Sequence, residues 1–334
     1  MNEIENLNSK NEIKDTQKIA LITGVTGQDG AYLTKLLLEK DYTVWGTTRN
    51  KGKANLVNFK KLLIEKQINL LETDCLDFEN LKEIFNQIKP DLVFHLACQS
   101  SVGLSFKYPY QTISSTVIST LNILECIRNM KKQIKLFHAA SSECFGDVNI
   151  DNPANEISPM KPMSPYASGK ASACLLAKNY RDTYKLFISI GFMSNHESPL
   201  RGENYVIPKL IRELNEIKNK KRDKIVFGDL SVIRDWGWAP SYVEAMYKII
   251  NDTYPDDYVI SSGQSYELEA IVKRAFELLN IKDYKKYIVS SQNIRPSEIR
   301  STYMDPSKIE NKLKWIHPYN LDEILLKLIK GDYF

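Results

Sequence analysis

From Lys18 onward the chain alternates short β-rich apolar runs with segments of helical periodicity, the pattern of βαβ units around a parallel sheet. "KIALIT" reads as the first strand, and "AYLTKLLLEK" follows with Leu33, Leu36 and Leu37 at helical spacing. "YTVWGTT" and "INLLET" are the second and third strands, "LKEIFNQI" is a helix, and "DLVFHLA" and "KLFHAAS" are two further strands. Between those last two, residues 111 to 130 predict one long helix on which Val117, Leu121 and Leu124 share a face. "LFISIGFM" supplies a sixth strand. Nearly continuous apolar runs of this kind suit strands covered by helices on both faces.

After about Met193 the pattern loosens, beginning with the turn-rich "NHESPLRGENYVIPK". Residues 17–193 are expected to hold the sheet, and 194–334 mainly a smaller lobe that interleaves with it. "IVFGD" and "YVISS" are candidates to return to the main sheet near 225–262. Residues 1–16 are polar and charged, and read as a flexible leader without the apolar centre of a signal peptide.

Composition narrows the partners. A chain of 334 residues with 43% apolar side chains can bury a substantial core, and its net charge of +4 arises from 45 basic and 41 acidic residues that are mostly interleaved. That balance favours neither nucleic acid nor a membrane surface, and "KNKKRDK" and "MKKQIK" read as solvated helix ends. No apolar run approaches the roughly 20 residues of a membrane span. Cys75, Cys98, Cys126, Cys144 and Cys174 form neither a Cys-x-x-Cys pair nor a compact framework. A reduced, cytoplasmic setting and no metal site are the expectation.

"LITGVTGQDGAYL" sets Gly24, Gly27 and Gly30 between the first strand and the first helix, with Gln28 and Asp29 inside the turn. Glycine permits a tight turn and close approach of backbone to a pyrophosphate, whose charge then faces helix N-terminal amides. At this junction the triplet points to a Rossmann-type, doubly wound α/β domain that binds a dinucleotide. NAD enzymes usually carry an acidic residue at the end of the second strand; here "GTTRNKGK" puts Arg49 there. A guanidinium suits a 2′-phosphate, so NADP is favoured over NAD. Asp74 and its neighbour Cys75 follow the third strand, where Asp74 could accept from the adenine amino group or serve as a helix cap. Leu96 and Ala97, after the fourth strand, are cofactor-lining candidates.

"SPYASGK" places Tyr166 and Lys170 four residues apart, on one face of a helix. With the glycine turn, this pair resembles the extended short-chain dehydrogenase/reductase family. By that resemblance, Lys170 lowers the phenol pKa of Tyr166 and reaches the nicotinamide ribose, while Tyr166 takes a proton from a substrate hydroxyl as hydride leaves the same carbon. "AASSECFGD" adds more, because Ser141, Ser142 and Glu143 resemble the Thr-Asp-Glu or Thr-Ser-Glu triplet of sugar-nucleotide 4,6-dehydratases. Elimination needs a base that simple redox chemistry does not. Once C4 is a ketone, Glu143 can remove the C5 proton as the C6 hydroxyl departs. Ser141 would hydrogen-bond the C4 oxygen, and Ser142 replaces an aspartic acid common in relatives.

The likeness is greatest to the GDP-mannose 4,6-dehydratase group, through "GVTGQDGAYL", "ACQSSVGLSF", "SSECFG", "NHESPLRGENYVIPK", "RDWGWAPSYVEAM" and "RPSEIRSTYMDPSKIENKLKW". It implies that Asn195, Lys209, Arg234 and Arg295, with Ser100, Ser101 and Glu298, line the GDP-sugar site. His196, Glu197 and Arg201 then lie on the cofactor side. A homodimer or homotetramer is also implied, since the loop after the second strand helps bind cofactor across an interface in that group. Here that loop, "TTRNKGKANLVNF", is shorter, Ser141 replaces a threonine, and "VIPK" stands for a Val-Thr-Arg-Lys-like run. GDP-mannose, GDP-N-acetylglucosamine and GDP-heptose therefore all stay open as substrates. An epimerase or reductase of the same fold would not need Glu143, and a non-catalytic nucleotide-sensing or RNA-associated protein would not need Tyr166, Lys170 and Glu143 together.

Overall fold

Strand-forming runs that are apolar on both faces must be covered on both faces, and the chain satisfies this with one sheet between two helical layers. The computed structural model describes residues 17–291 and 296–334, so the expected leader and Arg295 lie outside the described residues. The chain runs through β1 (Ile19–Thr23), α1 (Gln28–Glu39), β2 (Thr43–Thr48), α2 (Val57–Lys61), β3 (Asn69–Glu72), α3 (Phe78–Ile88) and β4 (Leu92–His95). It continues through α4 (Val102–Lys107), α5 (Pro109–Ile113), α6 (Ser119–Asn129), β5 (Lys135–Ser141), α7 (Pro165–Tyr184), β6 (Phe187–Met193) and β7 (Asn195–Glu197). Then come α8 (Val206–Lys218), β8 (Ile225–Phe227), β9 (Ile233–Trp238), α9 (Ala239–Ile250), β10 (Asp257–Ile260) and β11 (Ser265–Glu267). Last are α10 (Leu268–Leu278), α11 (Tyr284–Tyr287), β12 (Ile288–Ser290), α12 (Ser307–Leu313) and α13 (Leu321–Lys330).

Seven parallel strands pair in the order β3-β2-β1-β4-β5-β6-β10. The order reverses between β1 and β4, the switch point where such sheets bind ligands. Period-2 alternation divides the core. Ala20, Ile22, Val44 and Phe94 face the layer of α1 and α9, while Leu21, Val93, Leu136 and Ile190 face α3, α6 and α7. A third core, built on Ile207, Leu214, Trp236, Trp238, Phe276 and Leu325, belongs to the smaller lobe.

Two expectations need correction. The helix expected over 111–130 is α5 and α6 joined by a π-helical turn, Ser114–Ile118. The hydroxyls of Thr112, Thr116 and Thr120 donate to carbonyls four residues back at 2.8, 2.8 and 2.7 Å, competing with the regular backbone ladder. Thr116, Ser119 and Thr120 are buried on this stretch with Leu124, whereas Val117 and Leu121 are only partly covered. Of the two candidate returning strands, Asp257–Ile260 joins the sheet beside β6, but Ile225–Phe227 pairs with β12 in a separate ribbon. The neighbouring helices account for the difference. Helix α9, directly before β10, packs on the sheet beside α1, whereas α8, directly before β8, lies in the lobe core.

Candidate active site

The glycine turn is close-packed. Gly24 has φ +71°, and a Cβ there would meet the Ala97 backbone at 2.9 Å; one on Gly30 would meet Val25 backbone atoms at 2.6 Å. The first helix has no side-chain cap at Gly27, so its leading amides are not taken up by a capping side chain. Such a turn fits a dinucleotide pyrophosphate. Thr23, fully buried at the end of β1, accepts from Ala97 N at 3.2 Å and pairs with His95 Nδ1 at 2.8 Å, which fixes the β4 end against the turn.

A latch from the other half of the chain closes over this turn. His196 Nε2 lies 3.0 Å from the Asp29 carboxylate, Gln28 Nε2 donates to the His196 carbonyl at 3.2 Å, and Ser198 Oγ donates to Gln28 Oε1 at 2.8 Å. Burial pushes the Asp29 carboxyl up, but the charge and hydrogen bond of His196, helped by Gln28 and Arg201, outweigh it and hold it below its ordinary range. Arg201 donates to the same His196 carbonyl, lies 3.4 Å from Glu197 and stacks over Tyr205 at 4.4 Å. Glu197 is 1% exposed, and desolvation pushes its carboxyl up to about 7 despite the nearby Arg201.

The expected catalytic residues meet at the C-terminal end of β5. Ser141 ends that strand and accepts from Glu143 N at 3.2 Å; Ser142 and Glu143 open the following 3-10 turn. Ser164 caps α7 by accepting from Ala167 N at 3.1 Å, and Pro165 starts the helix, which sets Tyr166 and Lys170 in its first two turns. Tyr166 feels both the Ser141 hydroxyl, which favours its ionised form, and the charge of Glu143, which opposes it. Burial outweighs the lowering of the phenol expected from Lys170. Lys170 Nζ donates to the Ala139 carbonyl at 2.6 Å, and burial pushes Tyr166 well above its ordinary value, with the Ser141 hydrogen bond working the other way. A lysine side chain is long enough to follow the helix face past its neighbour and reach the β5 backbone.

The remaining candidates separate. Arg49 is exposed after β2, Cys75 is buried with its thiol pushed up to about 11 by desolvation, and Leu96 and Ala97 are partly covered after β4. Asp74 accepts from Leu76 N at 3.0 Å in its own turn, and the cap of α3 is Asp77. Glu72 accepts from Lys51 N at 2.8 Å, so a carboxylate of β3 approaches the Arg49 loop that looks free of acid when read along β2 alone. Ser100 Oγ lies 2.6 Å from Tyr205 OH, joining the β4 loop to the segment before α8, while Ser101 caps α4. Arg234 and Glu298 pair at 2.9 Å, Lys209 donates to the Val226 carbonyl, and Asn195 opens β7.

The sequence model of the GDP-mannose 4,6 dehydratase family matches residues 21–328. GDP-mannose 4,6 dehydratase 1 of Arabidopsis thaliana is 35% identical over 338 residues, covering 98% of this chain and 92% of its own. The chain belongs to the GDP-mannose 4,6 dehydratase family. Its fold also matches more distant structures. A dTDP-glucose 4,6-dehydratase from Streptomyces venezuelae, solved with NAD and TYD bound, superposes with a TM-score of 0.83 at 19% identity, covering 94% of this chain and 96% of that one. RMD from Pseudomonas aeruginosa, complexed with NADPH, gives 0.76 at 19%, with 94% and 99% covered.

In this member of the family, three features of the site escaped the sequence patterns. The rings of His95 and His138 lie tilted with centroids 5.7 Å apart, and both are pushed down by burial and by the charge of Lys170, His95 to about 3. Asp235, buried and pushed up by desolvation, accepts from Ser194, from Ser262 N at 2.9 Å and from Gln264 N at 3.1 Å, tying β9 to the ends of β6 and β10. Tyr205 bridges Arg201 and Ser100. A lone Tyr or Asp in a turn-rich segment has no spacing signature, so only the paired histidine positions of "FHLA" and "FHAA" offered a signal.

Proposed function

We propose that the protein is an NADP-dependent GDP-sugar 4,6-dehydratase that converts a GDP-hexose of the GDP-mannose or GDP-N-acetylglucosamine type to its 4-keto-6-deoxy form. The observation that carries this is the convergence of Ser141, Glu143 and Tyr166 at the end of β5, on the same edge of the parallel sheet as the glycine turn after β1. Family membership supports the reaction class, and neighbours that carry NAD or NADPH support a nicotinamide cofactor.

Gly24, Gly27 and Gly30 would hold the cofactor pyrophosphate, Arg49 a 2′-phosphate, and Arg201 a second phosphate contact from the latch. When bound, the nicotinamide supplies a hydride acceptor for C4 and a donor for C6. The protein's own groups do the proton work. Ser141 and Tyr166 take the C4 hydroxyl between them. Tyr166 accepts its proton as the phenolate, so bound substrate and cofactor, with Lys170 on the same helix face, must first offset the burial that raises the phenol. Glu143 then removes the C5 proton, made acidic by the C4 ketone, and the hydroxyl leaves C6 as water. Ser142 is a poor acid, so the proton for that water comes back through Glu143, and the proton held by Tyr166 returns to C5 as C6 is reduced. Arg234 and Lys209 supply the cations that a diphosphate requires.

Self-association belongs to the same proposal. Tyr110, Ile113 and Ile118 on the α5 to α6 stretch are 79%, 41% and 43% exposed, and Leu175 on the adjacent α7 is 61% exposed. An apolar face of this kind suits a second copy. The substrate is tested by incubating the enzyme with GDP-mannose, GDP-N-acetylglucosamine, GDP-heptose, and UDP-, dTDP- and CDP-glucose, then following loss of water by mass spectrometry. Dehydration confined to the GDP-sugars supports the proposal; dehydration of a UDP-, dTDP- or CDP-sugar in preference would reject it.

A further inference from the structure

Glu197 is an unusual place for a carboxylate. It is 1% exposed, and neither of its oxygens has a hydrogen-bond partner among the described residues. It lines a cavity of about 10 Å³ with Ile207, Trp236, Ile271, Leu321, Ile324 and Leu325. The indole Nε1 of Trp236 is likewise buried without a partner. The elements packed against Glu197 thus contribute apolar surface from α8, α10 and α13 and one indole from β9.

The charges it senses are few: Arg201, then His196, both on its own segment, and Asp29 from α1. His196 and Asp29 already satisfy one another at 3.0 Å. Arg201, at 3.4 Å, is therefore the cation that makes an ionised Glu197 tolerable in this pocket. Arg201 also has a fixed posture, since it donates to the His196 carbonyl and lies over the Tyr205 ring.

We propose that Glu197 is the buried counter-ion that sets how much charge Arg201 presents to a cofactor phosphate, so that cofactor binding draws a proton onto Glu197. This rests on the proposed placement of Arg201 on the cofactor side. The physics is linkage. A phosphate beside Arg201 competes for its positive charge, and the carboxylate left beneath it is stabilised by protonation. With the Glu197 carboxyl already near 7, the exchange falls in the physiological range. The sign is fixed: binding is tightest where Glu197 is protonated, below about pH 7, and weakens as pH rises through that value. The second ionisation of a 2′-phosphate, near pH 6, acts in the opposite sense and is about three-quarters complete at pH 6.5, so it offsets only the acid end of this window.

The test is calorimetric titration of the wild-type protein with NADP at pH 7, in two buffers of different ionisation enthalpy, with the dissociation constant followed from pH 6.5 to 8.5. Uptake of about half a proton and an approximately tenfold weakening across that range are expected. Glu197→Gln, which keeps His196 and Asp29, should flatten the pH profile to within about twofold and abolish the buffer dependence. A wild-type profile that is flat, while Arg201→Ala still weakens NADP, overturns this proposal and leaves Arg201 on the cofactor. If Arg201→Ala binds NADP unchanged, the placement of Arg201 fails and this proposal with it. The wild-type proton count needs no variant, so poor folding of Glu197→Gln would not shield the idea.

Discussion

His196 Nε2 stands 3.0 Å from the carboxylate of Asp29, so the second residue of the first helix is clasped by the strand that leaves the main sheet. The glycine turn is therefore held from both sides, by β4 through Thr23 and His95 and by the 195–201 segment. Asp29→Asn removes the charged partner of a partly buried pair and is expected to cost about 1–3 kcal/mol in urea unfolding. Because the Asp29 carboxyl is held below the ordinary aspartate value, its contribution is present above that value and lost as pH falls through the lower, folded one. Wild type and Asp29→Asn should thus differ at neutral pH and converge in acid.

Tyr166→Phe removes only the phenol oxygen. Turnover of the GDP-sugar should fall roughly 10²–10⁴-fold, while substrate affinity by calorimetry stays within a few fold. Loss of affinity with turnover preserved would make Tyr166 a binding residue instead.

Glu143→Gln separates oxidation from elimination. The variant is expected to lose overall dehydration by about 10²–10⁴-fold yet still oxidise C4, so that reduced nicotinamide accumulates in its absorbance band during a single turnover. Full dehydration by this variant would place the base elsewhere.

Arg49→Ala tests the cofactor preference. Loss of a charge-assisted contact worth about 1.5–3 kcal/mol should weaken NADP by roughly ten- to a hundredfold and leave NAD almost unchanged. Equal weakening of both would assign Arg49 to the common part of the dinucleotide.

Much of this site is legible in the sequence because its parts carry local signatures. Gly24 sits at positive φ and Gly30 against Val25, both demands that glycine meets; Ser164 and Pro165 announce the helix that carries Tyr166 and Lys170. What escaped lies in contacts between residues far apart along the chain. Whether Ile225–Phe227 or Asp257–Ile260 returns to the sheet depends on where α8 and α9 bury their apolar faces, and both strands look alike in isolation. The direction of the Tyr166 shift depends on desolvation, which i,i+4 spacing does not encode. Asp235 is an ordinary letter until the fold buries it, and the burial of Glu197, named from resemblance alone, is equally unmarked.

The most direct measurement uses GDP-mannose carrying deuterium at C4, incubated with the purified enzyme and a catalytic amount of NADP, with mass spectrometry and NMR of the product. The predicted product has lost one water, bears the deuterium at C6 and forms without net NADPH, because the hydride taken from C4 is returned within the same turnover. A product that keeps its water and differs only in configuration at C4, or one formed with stoichiometric consumption of cofactor, would contradict the assignment of an internal oxidation, elimination and reduction to Tyr166 and Glu143.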